Sequence, residues 1–319
     1  MPVIYLAPLQ GITDRVYRNL FAVYFNGVDL ALTPFIPSHK KMKKTHSILA
    51  GFHPDGNGGM KAVPQIMSSH ARDFIWLANE LFDMGYTSVN LNLGCPFPMV
   101  VKKGRGAGML CHPGRIEVFL EEALPVLKPA LSVKLRLGLK SPDDILDVIE
   151  IFNRFALECL IIHPRTASQM YEGEVDLEMF GRCLELSAHP VIYNGDIDTA
   201  AKYKALAFRF PSVAGWMIGR GLIGNPFLAE EMKGAVPRQM DEKLAVMRSF
   251  HDGLFGSYTE SLSGPAHLVN KMKEIWTYMS NFFCDSAKVR KRVYKTHSVP
   301  RYLEAVDRIF DEAAPDKFS

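Results

Sequence analysis

Short apolar runs recur along the first 220 residues of the chain, at 3–7, 29–35, 62–67, 87–93, 131–137, 158–163, 190–194 and 214–218. Between them apolar residues return every three or four positions, as over 14–25 and 71–82, which is the spacing of one helix face. A further helix is expected to begin at Ser141 as N-cap, with Pro142 at its first position and Asp143 and Asp144 in the first turn. Strands that alternate with helices imply parallel pairing through right-handed crossovers. Eight such units, with no Gly-x-Gly-x-x-Gly after the first strand, predict a closed (β/α)8 TIM barrel rather than an open doubly wound sheet. The Lys-rich and Gly-rich connection over 38–61 is expected to be partly a long surface loop.

Beyond about residue 240 the pattern turns amphipathic and helical, over 241–255, 266–283, 287–295 and 302–310, punctuated by Pro237 and Gly264-Pro265. The expected organisation is α/β: a barrel domain over 1–240 and a small all-helical C-terminal domain over 241–319.

Composition adds constraints without identifying a partner. The chain has 319 residues, 48% hydrophobic and 22% charged, which is the make-up of a globular protein. Its net charge of +3 decides little, but the charges cluster: Lys40, Lys41, Lys43 and Lys44 in one place, and Lys288, Arg290, Lys291, Arg292, Lys295 and Arg301 in another, with no acid over 286–300. Such runs are either solvated faces or surfaces that gather phosphate backbones. The five cysteines, at 95, 111, 159, 183 and 284, are odd in number and lack Cys-x-x-Cys or metal-ligand spacing. No leader pattern opens the chain, and no run approaches about 18 uninterrupted apolar residues. A cytoplasmic, monomeric protein with no metal and no transmembrane segment is therefore expected.

A barrel places its chemistry at the ends of its strands, and the most informative end follows residues 89–93. There Val89, Leu91 and Leu93 alternate with Asn90 and Asn92, and Gly94, Pro96 and Pro98 then stop the strand, so Cys95 stands on a turn. Lys102, Lys103 and Arg105 make the next loop basic. Asn194-Gly195-Asp196 and Gly219-Arg220-Gly221 follow the seventh and eighth predicted strands, where barrels often bind phosphate. Glycine lets backbone N–H groups approach an anion, and Arg220 adds charge. Lys134 alternates with apolar neighbours, so its ammonium faces the barrel mouth or is buried at substantial cost. A fixed cation there suits a ring that becomes anionic on reduction, such as the N1–C2 edge of a flavin. Gln65, Asn92 and His163 add amide and imidazole contacts of the kind that hold a pyrimidine-like edge.

These residues resemble the dihydrouridine synthases, flavoproteins that reduce uridine in RNA. The resemblance runs in order through Leu6-Ala-Pro-Leu-Gln-Gly-Ile-Thr-Asp14, Asn90-Leu-Asn-Leu-Gly-Cys-Pro96, Gly104-Arg-Gly-Ala-Gly-Met-Leu110, Val133-Lys-Leu-Arg-Leu-Gly138, His163-Pro-Arg-Thr166, Tyr193-Asn-Gly-Asp-Ile197 and Met217-Ile-Gly-Arg-Gly221. It implies a flavin-binding barrel followed by a helical domain that helps to hold tRNA. It further implies non-covalent FMN held by Ala7, Pro8, Leu9, Gln65, Lys134 and His163, and by Asn194, Gly195, Asp196, Gly219 and Arg220 at the phosphate, with Asn92 between flavin and uracil. NADPH would reduce the flavin, hydride would pass from N5 to C6 of uracil, and Cys95 would protonate C5. The resemblance also brings Lys102, Lys103, Arg105, Arg165, Tyr171, Lys288, Arg290, Lys291 and Arg292 forward as candidate RNA contacts, the Gly-rich loop folding over the nucleotide. It departs from the family at Pro164, at Ser68-Ser69 and in the Gly-rich region 51–61. The alternative is an FMN barrel oxidoreductase that reduces a small-molecule pyrimidine or enoate. It would share Lys134 and the phosphate loops without needing a basic helical domain.

Overall fold

A computed structural model describes residues 1–38, 49 and 52–313. The lysine cluster at 40–44 lies outside the described residues. Ten short strands form one parallel sheet in the order β3-β5-β6-β7-β8-β9-β10-β1-β2-β4. They are β1 (Ile4–Leu6), β2 (Leu30–Leu32), β3 (Ile36–Pro37), β4 (Ala62–Val63), β5 (Gln65–Met67), β6 (Ser88–Leu93), β7 (Ala130–Gly138), β8 (Leu160–Thr166), β9 (Val191–Tyr193) and β10 (Gly215–Ile218).

The two ends of that order belong to the same two stretches of chain. Proline has no N–H to give a ladder, so Pro34 separates β2, within the predicted run 29–35, from β3 just beyond it, and Pro64 divides the predicted run 62–67 into β4 and β5. β2 pairs with β4 and β3 with β5. Thr33 bridges the gap: its N–H donates to Val63 O (3.0 Å) and its hydroxyl accepts the Gln65 N–H (3.2 Å). With the halves rejoined, eight strands close into a ring, as the alternation predicts.

Alternation also sorts the side chains. Val89, Leu91, Leu93, Leu131, Val133, Leu135, Leu160 and Ile162 pack outward in the large core shared with the helices. Inside the barrel the lining is divided. Ala7, Leu32, Ile161, Ile192 and Met217 form a small apolar cluster of their own, whereas β5, β6 and β7 contribute buried Gln65, Asn90, Asn92 and Ser132. One wall of the barrel is therefore apolar and the other is built from amides.

The helices expected at 14–25 and 71–82 occupy Arg15–Tyr24 and Ala71–Asp83. The one expected from Ser141 starts later, at Asp144, because Ser141 Oγ accepts the Asp143 N–H in a local turn and Asp144 Oδ2 accepts the Leu139 N–H (3.2 Å). From Met240 onward the described regular elements are helical: Met240–Ser261, Pro265–Met279, Ser286–Tyr294 and Val299–Ala313, with a short 3-10 turn at Ser280–Phe282. They hold the barrel through Asp14, which caps the first helix by accepting the Tyr17 N–H (3.0 Å) and also accepts from Tyr258 (2.8 Å) and Lys271 (2.5 Å). No helix among the described residues is long and apolar enough to cross a membrane.

Candidate active site

Buried amides are costly unless paired, and the polar wall of the barrel pairs them in a ladder. Asn90 Nδ2 donates to Ser132 Oγ (2.9 Å), Gln65 Nε2 to Asn90 Oδ1 (2.8 Å), and Asn92 Nδ2 to Gln65 Oε1 (2.7 Å). Each amide nitrogen carries two hydrogens, so Gln65 and Asn92 each retain one N–H for the cavity that they line.

Asn92 also builds the turn that carries Cys95. Its Oδ1 accepts the N–H of Gly94 (3.0 Å) and of Cys95 (2.9 Å). The Cys95 carbonyl in turn accepts the Ala107 N–H (3.1 Å). Gly106, at φ +54, backs this turn so closely that an added Cβ would lie 2.8 Å from Cys95 O and 2.9 Å from its Cβ, so only glycine fits. Cys95 lines the cavity and is 8% exposed. Burial pushes its thiol pKa up, against the Phe97 N–H and the charges of Arg136 and Lys134, so the protonated thiol dominates at neutral pH.

Lys134 stands beside Asn92 in the β6–β7 register and faces the cavity. Its Nζ makes no hydrogen bond or ion pair among the described residues, and burial with the nearby Arg136 charge pushes its pKa down to about 7. His163 is held well below its ordinary value by burial and by Arg136, Lys134, Arg165 and Arg220, and is therefore neutral. Its Nε2 lies 3.2 Å from Arg165 Nη1. Arginine can only donate, so Nε2 accepts and the imidazole proton sits on Nδ1.

The opposite rim is ionic. Asp196, at φ +37, accepts from buried Arg165 through Oδ2 and from Arg220 through Oδ1 (2.6 Å). Burial opposes its ionisation, but the two arginines prevail and its pKa is lowered. Beside it the backbone is pared down: a Cβ on Gly221 would lie 2.0 Å from Ile197 O, and one on Gly219 would press on Leu9 and Ala7. Tyr171, half exposed on the loop after β8, lies between the guanidinium groups of Arg136 (5.2 Å) and Arg220 (5.1 Å).

The sequence profile of the dihydrouridine synthase (Dus) family matches residues 5–314. The chain belongs to this family. It is 26% identical to tRNA-dihydrouridine synthase B of Vibrio parahaemolyticus over 317 residues, 97% of this chain and 96% of that protein. It is 28% identical to a probable tRNA-dihydrouridine synthase of Rhodobacter capsulatus over 82% of this chain and 80% of the relative. Among solved structures, morphinone reductase superposes with a TM-score of 0.53 at 10% identity, over 75% of this chain and 88% of that one. The old yellow enzyme homologue of Zymomonas mobilis gives 0.52 at 11%, over 75% and 91%. These two likenesses concern the fold alone.

Of the residues singled out in this family member, the cavity gathers Ala7, Pro8, Leu9, Gln65, Asn92, Cys95, Lys134 and His163 on one side and Asn194, Gly195, Asp196, Gly219 and Arg220 on the other, with Tyr171 at the rim. Arg165 stands behind the lining, 1% exposed. Lys102 and Lys103 follow the short helix Pro98–Val101, and Arg105 Nη2 donates to Ser38 O (3.3 Å). Beyond them Gly106–Met109 is a buried 3-10 turn packed behind Cys95. None of these three basic residues lines the cavity, and the segment backs the thiol instead of covering the opening. Lys288, Arg290, Lys291 and Arg292 lie on the helix Ser286–Tyr294. Among the lining residues that the sequence gives no role are Arg136 and Tyr278. Arg136 stands with Lys134 near the end of one strand, which marks it as a strand-end polar residue and no more. Tyr278 arrives from the helix Pro265–Met279, and nothing local to its sequence marks it.

Proposed function

We propose that this chain reduces the C5=C6 bond of a uridine in tRNA to dihydrouridine, with FMN as its bound cofactor and NADPH as the reductant. The observation that carries this reading is the protonated thiol of Cys95, held in one cavity with an unpaired cation, Lys134, and the spare amide N–H groups of Gln65 and Asn92. The tRNA assignment is taken from the relatives' name.

The residues fit FMN. Lys134 has no counter-ion among the described residues, which suits the electron-rich N1–C2 edge of an isoalloxazine. Gln65 and neutral His163 would hold the pyrimidine edge of the ring. Ala7, Pro8 and Leu9 give a backbone wall, and Asn194, Gly195, Gly219 and Arg220 form the end that would take the phosphate, with Asp196 turned toward its two arginines. A bound FMN reduced by NADPH would supply the hydride.

The chain's own groups do the rest. Asn92 fixes the Cys95 turn and offers one N–H to the base. Cys95 holds a proton on Sγ and delivers it to C5, where electron density collects after hydride addition. Tyr171 presents a half-exposed ring to an unstacked base. Residues 241–319 act as the tRNA-gripping domain, with Lys288, Arg290, Lys291 and Arg292 on the phosphates and Lys102, Lys103 and Arg105 near the entry. The chain works as a monomer in the cytoplasm.

The test is to purify the protein, identify any flavin released by acid, and incubate the holoenzyme with NADPH and tRNA from cells lacking it. Dihydrouridine measured by mass spectrometry should appear. A protein that stays colourless and cannot be reconstituted with FMN, or one that leaves every tRNA unchanged, would sink the reading.

A further inference from the structure

Three partners hold the backbone around Cys95: Asn92 on its own strand, Ala107 behind it, and Arg136, whose Nε donates to the Gly94 carbonyl at 3.1 Å. Arg136 alone of the three also reaches the loop after β8. Its Nη1 donates to Thr166 O at 2.8 Å, and its guanidinium lies 5.2 Å from the centre of the Tyr171 ring. Arg136 is 2% exposed, so its planar fork is fixed between the two loops.

The two loops differ in exposure. The Cys95 turn is buried and backed by Gly106. The loop after β8 is exposed over Tyr171, Glu172, Gly173 and Glu174, and it carries Met170 at φ +52, a conformation that a side chain such as methionine adopts at a cost. Arg165 Nη2 ties the loop through Gly173 O (2.5 Å), and the half-exposed ring of Tyr171 at its tip is the part that a base arriving from solvent would meet. Any shift of Tyr171 is felt by the guanidinium above it.

We propose that Arg136 is a positioning residue that ties Tyr171 to the Gly94–Cys95 peptide, so that engagement of the substrate at Tyr171 sets the place of the proton donor. This rests on the uridine-reductase reading of the same site. Lysine cannot replace it, because one ammonium cannot serve the Gly94 carbonyl, the Thr166 carbonyl and the ring together. The device needs no change in flavin chemistry, and that separates it from a cofactor role.

The experiment is a double-mutant cycle on the FMN-loaded enzyme with Arg136→Lys and Tyr171→Ala, measuring flavin reduction by NADPH, kcat for uridine reduction and KM for tRNA. Arg136→Lys should lower kcat about a hundredfold and Tyr171→Ala about tenfold, with flavin content and flavin reduction within about twofold of wild type. The double variant should be no slower than Arg136→Lys alone, because both changes cut one link. Tyr171→Phe, which keeps the ring but loses the hydroxyl that Arg136 also faces, should fall between wild type and Tyr171→Ala, and a value as low as Tyr171→Ala would show that the ring contact carries nothing. Multiplying effects, an unchanged kcat in Arg136→Lys, or loss of flavin from that variant would overturn the proposal. Should the wild-type protein fail to reduce tRNA, the same cycle is read as the alkylation rate of Cys95, quantified on its peptide. Non-multiplying changes there would keep the link and discard only the uridine reading, and multiplying changes would discard the link.

Discussion

The side-chain oxygen of Asn92 accepts the backbone N–H of Cys95 at 2.9 Å and of Gly94 at 3.0 Å, so the residue that ends the strand also shapes the turn that carries the thiol. Structure and chemistry can therefore be separated at two neighbouring positions. Asn92→Ala strands two N–H groups in a largely closed site, at a cost of about 1–3 kcal/mol each when left unpaired. Denaturant unfolding should show the loss. Cys95→Ser leaves both bonds in place and should unfold like wild type. Its hydroxyl is a far weaker acid than a thiol, so uridine reduction should fall about a thousandfold while NADPH still reduces the flavin. If Cys95→Ser turns over tRNA normally, the proton comes from elsewhere.

Lys134 should behave oppositely in the apo and loaded protein. Its pKa is pushed down to about 7 by burial and by Arg136, below the unfolded lysine value of about 10.4. Between these values the unfolded chain binds a proton that the folded chain does not, so this group's contribution to stability improves as pH rises from about 7 to 10 and is least favourable below 7. Lys134→Met removes that burden. The apoprotein of the variant should melt at a higher temperature than wild type at pH 6–7, and the gap should close toward pH 10. With FMN the order should reverse, because the variant lacks the cation placed for the ring. A variant apoprotein that melts lower at pH 6 would refute the assignment of a costly buried charge.

The barrel is legible in the sequence because each strand shows the helices a continuous apolar face, and Val89, Leu91 and Leu93 against Asn90 and Asn92 carry that signal without help. Cys95 and Lys134 are legible for the same reason: a polar or reactive residue at the end of an apolar strand has few places to go. The break of two strands into halves is written only as Pro34 and Pro64, and the closing contact through Thr33 is a hydroxyl whose partners lie about thirty residues away. Arg136 could not be assigned a role because its partners are the carbonyls of Gly94 and Thr166, and carbonyls are present at every position. Tyr278 reaches the cavity by docking of the helical part on the barrel, a long-range event with no local pattern. The basic loop 102–105 reads as a cover, yet Gly106 and Gly108 fold its continuation inward against Cys95 and Val101.

Asp14 joins the two parts of the molecule. Its Oδ1 caps a helix through Tyr17 and accepts the hydroxyl of buried Tyr258, and its Oδ2 accepts from Lys271. Asp14→Ala removes the cap, at about 1 kcal/mol, and leaves the Tyr258 hydroxyl unpaired, at about 1–3 kcal/mol. The midpoint in urea should drop accordingly. Asp14→Asn keeps an acceptor oxygen for the cap and should recover much of the loss. Equal destabilisation by both variants would show that the charge toward Lys271 dominates.

The basic helix Ser286–Tyr294 divides into paired and free cations. Glu312 accepts both oxygens' worth of hydrogen bonds from Arg292 (3.0 Å each) and lies 3.5 Å from Lys288, while Arg290 and Lys291 point into solvent with no acidic partner among the described residues. Exposed pairs contribute little to stability, but they occupy charge that a phosphate would otherwise use. Arg290→Ala with Lys291→Ala should weaken tRNA binding and make the slope of log K against log salt shallower by about 2, one for each lost phosphate contact. Glu312→Gln releases Lys288 and Arg292 and should tighten binding while steepening that slope. Filter binding at a series of salt concentrations reads both. Unchanged slopes in the two variants would make this helix a solvated face and move the tRNA footprint to another surface.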